Sequence, residues 1–319
     1  MRAVWLTRFG GPEVLVEGEA PDPAPAAGQA LVEVVFANIT FVETQFRASG
    51  RGPFTGTPPV VPGNGVGGVV SALGPDVDPD WVGRRVVTAT GGSGGYAQRV
   101  AVPAEGLFVV PEELALDAAV ALLADGRTAA MMVDAARPRP GERVLVEAAA
   151  GGVGSLLVQL AATAGARVVA AAGGERKVAL ARELGAELVV DYRQPDWPER
   201  VRAAVGGVDV VFDGVGGETG RVAFGLLDRG GRFVGFGLAS GSWADVPAEA
   251  AAERGITVTS GPPVDPAAVR RYTEHALAEA AAGRLRPVIG QRFPLARAAD
   301  AHAAIEARAT VGKTLLEVA

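Results

Sequence analysis

Cysteine is absent from the 319 residues, and that absence removes disulfides, thiolate metal sites and a cysteine nucleophile at once. Histidine is nearly absent: His275 and His302 are the only two. A zinc site would have to lean on carboxylates, so neither a catalytic nor a structural zinc is expected. No uninterrupted apolar run reaches membrane-spanning length, because glycines and charges break each one. The first residues, Met1-Arg2-Ala3-Val4-Trp5-Leu6-Thr7, lack the apolar core of a signal peptide and read as a strand. A soluble, cytoplasmic chain without a membrane partner is the expectation. Blocks of like charge are missing too. Lys and Arg number 30 against 36 Asp and Glu, a mildly acidic balance that argues against nucleic acid as a partner.

What is present has two textures. Up to about residue 115, short β-like runs alternate with Pro/Gly clusters. Val14-Leu15-Val16-Glu17, residues 30–36, 67–71 and 85–89 read as strands, with turns such as Pro21-Asp22-Pro23-Ala24-Pro25 and residues 57–63 between them. This predicts a mostly β domain of partly open barrel type. From residue 116 helices alternate with short aliphatic strands. A helix over 116–136 precedes strands at 143–147, 167–171, 188–190, 208–213, 232–236 and 256–259, the pattern of a parallel sheet with helices on both faces. The last 60 or so residues return to mixed texture, with helices at about 265–283 and 297–307 and a final strand at 313–318. The chain therefore crosses back to finish its first domain. The expected division is 1–115 with 260–319, and an inserted 116–259.

The centre of the second domain is Arg143-Val144-Leu145-Val146-Glu147-Ala148-Ala149-Ala150-Gly151-Gly152-Val153-Gly154. An aliphatic strand enters a turn of small residues and an apolar helix leaves it. This is the opening of a dinucleotide-binding βαβ unit, with Ala149-x-Gly151-x-x-Gly154 in place of the usual three glycines. Small residues let backbone N–H groups approach a pyrophosphate, whose charge suits the positive end of the helix. About 20 residues on, an NAD-binding unit carries an acidic residue for the ribose hydroxyls. Here the second strand ends in Ala172-Gly173-Gly174, followed by Glu175, Arg176 and Lys177. An uncharged strand end followed by two cations favours the 2′-phosphate of NADPH over NADH, with Glu175 read as the start of the next helix. The strand at 208–213 ends in Asp213-Gly214-Val215-Gly216-Gly217, and the strand at 232–236 ends in Phe236-Gly237. Both fall on the carboxyl edge where such sheets bind ligands. Asp213 is expected to order its loop.

Several motifs in the same order resemble one family, the zinc-independent quinone oxidoreductases (ζ-crystallin-like) of the medium-chain dehydrogenase/reductase superfamily. They are Pro62-Gly63-Asn64-Gly65-Val66-Gly67-Gly68-Val69-Val70, Gly94-Gly95-Tyr96-Ala97, Gly126-Arg127-Thr128-Ala129, Pro140-Gly141-Glu142-Arg143-Val144-Leu145-Val146, the glycine turn, Phe212-Asp213-Gly214-Val215-Gly216-Gly217 and Gly312-Lys313. The resemblance implies a GroES-like β-barrel domain with an inserted Rossmann doubly wound parallel sheet, NADPH as cofactor, and a homodimer. It implies that Ala150, Gly151, Gly152, Val153 and Gly154 form the pyrophosphate turn, and that Gly173, Lys177 and Tyr192 contact the 2′-phosphate and ribose. It places Gly214 and Gly237 at the cofactor edge, Thr128 and Phe236 along the nicotinamide, and Arg308 as a C-terminal arginine that reaches the cofactor. Two positions depart from the family. Thr40 stands where many members have asparagine, and Gln45 where some have tyrosine. Zinc-dependent relatives carry glutamate where Gly65 stands.

The implied activity is hydride transfer from NADPH to a quinone or an α,β-unsaturated carbonyl, with the hydroxyls of Thr40 and Thr128 as the candidate catalytic helpers. A tailoring reductase acting on enoyl or polyketide-type intermediates, and a non-enzymatic NADPH-binding sensor, are the alternatives. Tyr96, His275 and His302 read as structural or exposed. Loops around 40–60 and 238–265 are expected to shape the substrate pocket.

Overall fold

The computed structural model of the chain describes residues 1–261 and 265–318; positions 262–264 of the expected 238–265 loop region lie outside the described residues. Two compact units form, Met1–Ala124 with Leu277–Ala319, and Asp125–Ala276.

The first unit begins with a short antiparallel pair, β1 (Arg2–Leu6) and β2 (Leu15–Glu19). Then come β3 (Gln29–Ile39), the helix α1 (Phe41–Ser49), β4 (Gly65–Leu73), β5 (Arg85–Ala89), β6 (Arg99–Pro103) and β7 (Phe108–Val109). The apolar side chains of β3 alternate, so Ala30, Val32, Val34 and Ala37 face the core while the residues between them do not. A helix at α1 was not expected from apolar periodicity. It forms because Thr40 and Glu43 make a reciprocal capping box and Gly50 closes the last turn in the left-handed region, φ 70°.

Beyond α2 (Leu116–Ala136), the second unit runs β8 (Arg143–Val146), α3 (Gly152–Thr163), β9 (Arg167–Ala172), α4 (Glu175–Glu183), β10 (Leu188–Asp191), α5 (Trp197–Val205), β11 (Val208–Asp213), α6 (Gly217–Leu226), β12 (Leu227–Gly235), α7 (Ala248–Arg254), β13 (Thr257–Ser260) and α8 (Pro266–Ala281). Its six strands are ordered β10-β9-β8-β11-β12-β13, all parallel. This is the order of a doubly wound dinucleotide-binding sheet, with the reversal between β8 and β11. The strands β8 to β11 are nearly continuous apolar runs because both faces are covered; Leu145, Val169, Val190, Val211 and, from β12, Phe233 sit at the centre of that core.

The chain then returns to the first unit as β14 (Ile289–Pro294), α9 (Ala298–Glu306) and β15 (Lys313–Glu317). β15 pairs antiparallel with β3 and completes a seven-stranded sheet, β14-β15-β3-β4-β5-β7, from which β6 branches on β3. The crossing back read from the C-terminal texture is thus a strand insertion next to β3. The GroES-like barrel with an inserted Rossmann sheet is the fold that the chain adopts. No helix among the described residues is long and apolar enough to cross a membrane.

Candidate cofactor and active site

At the carboxyl end of β8 the chain turns sharply: Ala148 takes a left-handed conformation, φ 46°, and Gly151 donates its N–H to the Ala148 carbonyl at 2.8 Å. Gly151 is the N-cap of α3, and the Ser155 amide closes the first turn onto its carbonyl at 2.9 Å. The first-turn amides of Gly152, Val153 and Gly154 have no intrahelical acceptor, which is the arrangement that receives an anion. The glycines follow from space. A Cβ on Gly154 would collide with the Ala148 carbonyl and lie 3.0 Å from Ala149 Cα, while one on Gly152 would run into the Asp125 carboxylate. Ala150 is buried beneath the turn. Thr128 lies one helical turn beyond Asp125 on α2 and is half-buried.

The second corner lies at the end of β9. Gly173 and Gly174 form the turn, with Gly174 at φ 95°, and Lys177 sits half-buried in the first turn of α4. Glu175 is exposed at the start of that helix, as its reading as a helix starter requires. Tyr192 lies beside this turn, its ring 3.1 Å from where a Gly173 Cβ would stand. Next to it is a cation that motif reading missed. The Arg193 guanidinium lies 2.8 Å from the position of a Gly174 Cβ, and it pairs with Asp191 at 2.7 Å. The hydrogen bond from Arg193 holds the Asp191 carboxyl down to about 2. A cation directly after the third strand was the available signal, but only the β9–β10 pairing brings it to Gly174.

The third corner joins the ends of β11 and β12. Asp213 Oδ1 accepts the amides of Val215 at 2.9 Å and Gly216 at 2.7 Å, the loop-ordering role expected of it. Phe236 packs on Gly214, where a Cβ would meet its ring at 2.5 Å, and Gly237 comes within 2.7 Å of the Gly214 carbonyl by the same measure. These two loops are bonded together: Phe236 N–H donates to the Asp213 carbonyl at 2.8 Å and Ser240 N–H to the Val215 carbonyl at 2.8 Å.

In the first unit, Thr40 heads α1. Its N–H and its hydroxyl both donate to Glu43 Oε2, at 2.6 and 2.7 Å, and the Asn64 amide donates to Glu43 Oε1 at 3.0 Å. Burial raises the Glu43 pKa, and the two bonds from Thr40 work against that rise. Behind Glu43, the buried Tyr96 hydroxyl lies 2.9 Å from His302 Nε2, so both rings are parts of the barrel core. Arg308 stacks over Phe41, 4.6 Å from the ring centre, which brings it to the same end of α1 as Thr40. Gly65 has no room for the glutamate of zinc-dependent relatives, since a Cβ there would stand 2.5 Å from Asn38 Nδ2.

A glycine-headed helix on a 3-2-1-4-5-6 parallel sheet, joined to a GroES-like barrel, defines a dinucleotide-dependent oxidoreductase. Residues 26–112 match the alcohol dehydrogenase GroES-like domain family and residues 152–265 the zinc-binding dehydrogenase family. The chain is 34% identical to a probable quinone oxidoreductase of Schizosaccharomyces pombe, covering 98% of this chain and 96% of that one. It is 32% identical to a 2-haloacrylate reductase of a Burkholderia species, covering 98% of each. The crystal structure of Escherichia coli quinone oxidoreductase complexed with NADPH superposes with a TM-score of 0.91 at 30% identity over the whole of both chains. The chain belongs to the medium-chain dehydrogenase/reductase superfamily, in its zinc-independent quinone oxidoreductase group. The zinc in the second family's name has no counterpart in the donor set here: the chain has no cysteine, and among the described residues no three His, Asp or Glu side chains converge.

Proposed function

We propose that the chain is an NADPH-dependent reductase that delivers hydride to a conjugated acceptor, a quinone or an α,β-unsaturated carbonyl. The observation that carries this reading is the glycine turn, where side chains are sterically forbidden and helix amides are open, together with the cations around Gly173–Gly174. The quinone oxidoreductase and 2-haloacrylate reductase relatives support the acceptor class, and the NADPH complex of the Escherichia coli neighbour supports the cofactor. Ala150 to Gly154 would hold the pyrophosphate. Lys177, Arg193 and Tyr192 would hold the 2′-phosphate and ribose. Gly214, Phe236 and Gly237 would line the remaining edge. Bound NADPH supplies the hydride; the protein orients the acceptor, excludes water and stabilises the developing enolate charge. Thr128 offers a hydroxyl to that charge, Arg308 adds positive charge beside Phe41, and the Thr40 hydroxyl, bonded to Glu43, holds the start of α1 in place. The proton that completes reduction comes from solvent, since Tyr96 and His302 are bonded to each other inside the barrel core.

The test is NADPH titration followed by steady-state oxidation with 1,4-benzoquinone and a small enone. Turnover of either with NADPH preferred over NADH is the expected result. Tight NADPH binding with no turnover across a broad acceptor panel favours the sensor reading, and no NADPH binding refutes the proposal. The chain acts as a homodimer in the cytoplasm. Its support is the edge strand β13, unpaired on its outer side among the described residues, with Val258 41% exposed. Val258→Lys should convert a dimer in light scattering to a monomer; an unchanged mass removes β13 from the interface.

A further inference from the structure

Two acidic side chains lie buried in the middle of the second unit. Glu147 follows β8 and Asp213 ends β11, and these two strands are paired in register, Phe212 opposite Val146. The Glu147 amide donates to the Phe212 carbonyl at 3.0 Å, so the next residues along, Glu147 and Asp213, stand side by side at the sheet's topological switch. Both side chains are fully buried, 0% exposed. Asp213 Oδ1 is occupied by the Val215 and Gly216 amides. Asp213 Oδ2, packed against Gly220, and both carboxyl oxygens of Glu147 have no donor. Three buried oxygens without donors, on neighbouring carboxyls, is an arrangement that two negative charges cannot maintain.

We propose that Glu147 is a protonated positioning residue: it donates its carboxyl proton to Asp213 Oδ2, and this one-proton clamp holds the Val215–Gly217 turn and the loop beyond β12 in their cofactor-binding form. With Oδ1 taken up by the two backbone amides, Oδ2 is the acceptor that Asp213 has left, and the proton it receives is that of Glu147. Burial, and secondly Asp213 beside it, raise the Glu147 pKa well above the carboxylate range. Among the described residues of α3, β9 and α6, no other ionisable group faces the pair. α3 carries none between residues 152 and 163, β9 ends in alanine, and on α6 Glu218 and Arg221 pair with each other at the surface. Asp213 passes the order on: its carbonyl takes the Phe236 amide, and the Ser242 carbonyl takes the Gly217 amide at 3.1 Å. When alkali removes the proton, two adjacent buried charges repel, Asp213 withdraws and both loops loosen. The effect on NADPH rests on the function proposed above; the proton itself does not.

The test compares wild type with Glu147→Gln, whose amide supplies the same donor without titrating, and with Glu147→Leu, which fills the space without a donor. The unliganded wild type should show a protonated-carboxyl infrared band at neutral pH that Glu147→Gln lacks. Its melting temperature should fall relative to Glu147→Gln as pH rises, because a group whose pKa is raised on folding stabilises below its unfolded pKa and loses that contribution above it. NADPH affinity should be within twofold in the two proteins at pH 6 and should favour Glu147→Gln by roughly tenfold per pH unit once the clamp opens. Glu147→Leu should bind NADPH more weakly than either at pH 6. Parallel melting curves, no infrared difference, or equal behaviour of the Leu and Gln variants would overturn the clamp. If Glu147→Gln does not fold, Asp213→Asn decides. Its amide should donate to an ionised Glu147 and abolish the infrared band, and a band that persists refutes the pairing. Infrared and melting signatures without NADPH binding would sink the cofactor reading and leave the clamp standing.

Discussion

His302 should make the barrel lose stability in acid. Burial, with a smaller contribution from Arg47, lowers its imidazole from an ordinary 6.5 to about 3. The ring is 1% exposed and its Nε2 faces the Tyr96 hydroxyl, while Nδ1 has no partner. A second proton on this ring therefore has no acceptor, and the neutral form is the one that fits. The sign follows directly. A histidine whose pKa drops on folding contributes stability that is complete above pH 6.5 and is lost as pH falls toward 3. The slope is about 1.4 kcal/mol for every pH unit in that interval, so roughly 3 kcal/mol disappears between pH 6.5 and 4.5. His302→Gln keeps an amide N–H for Tyr96 and cannot titrate. Its stability offset from wild type, measured by urea unfolding at pH 7.0, 5.5 and 4.5, should shift in favour of the variant by about that amount. Carboxylates that titrate in both proteins cancel in the difference. Parallel stability–pH curves would show that His302 protonates without cost and that the Tyr96 contact does not constrain it.

Three further outcomes are expected. Lys177→Ala and Arg193→Ala should each weaken NADPH by about tenfold to a hundredfold, and NADH far less; equal losses for both cofactors in fluorescence titration would remove the 2′-phosphate assignment. Gly154→Ala should destabilise the second unit by about 1–3 kcal/mol in chemical denaturation, because the obstructing atoms are backbone, and it should abolish NADPH binding; a well-bound cofactor would mean that the turn can shift. Thr40→Val should lower stability by about 1 kcal/mol through the lost cap and reduce kcat, with Thr40→Ser restoring both; a Ser variant as impaired as Val would show that the methyl group, not the hydroxyl, matters.

Local structure is legible along the chain. The period-2 run of β3, the aliphatic strands β8 to β12 and the small-residue turn at 148–154 each show their structure within a dozen residues, because strand pleat, helix period and left-handed turns constrain neighbouring side chains. The α1 helix escaped because it is only nine residues long and its start is a cap between Thr40 and Glu43 rather than a long apolar run. Arg193 escaped because its meaning depends on Gly174, which belongs to a different strand–helix connection.

The sequence by itself determined the doubly wound sheet, the barrel that encloses its insertion, and the dinucleotide turn with its uncharged second-strand end, since each is written in residue type and spacing along a continuous stretch. Tertiary structure alone decided which polar groups share a proton or a charge. Tyr96 meets His302 across 206 positions and Arg143 meets Asp209 across 66, and Glu147 reaches Asp213 only because β8 and β11 lie side by side. Such pairings are chosen by strand order and by the cost of burying an unsatisfied polar atom, and neither quantity exists until the chain has closed on itself.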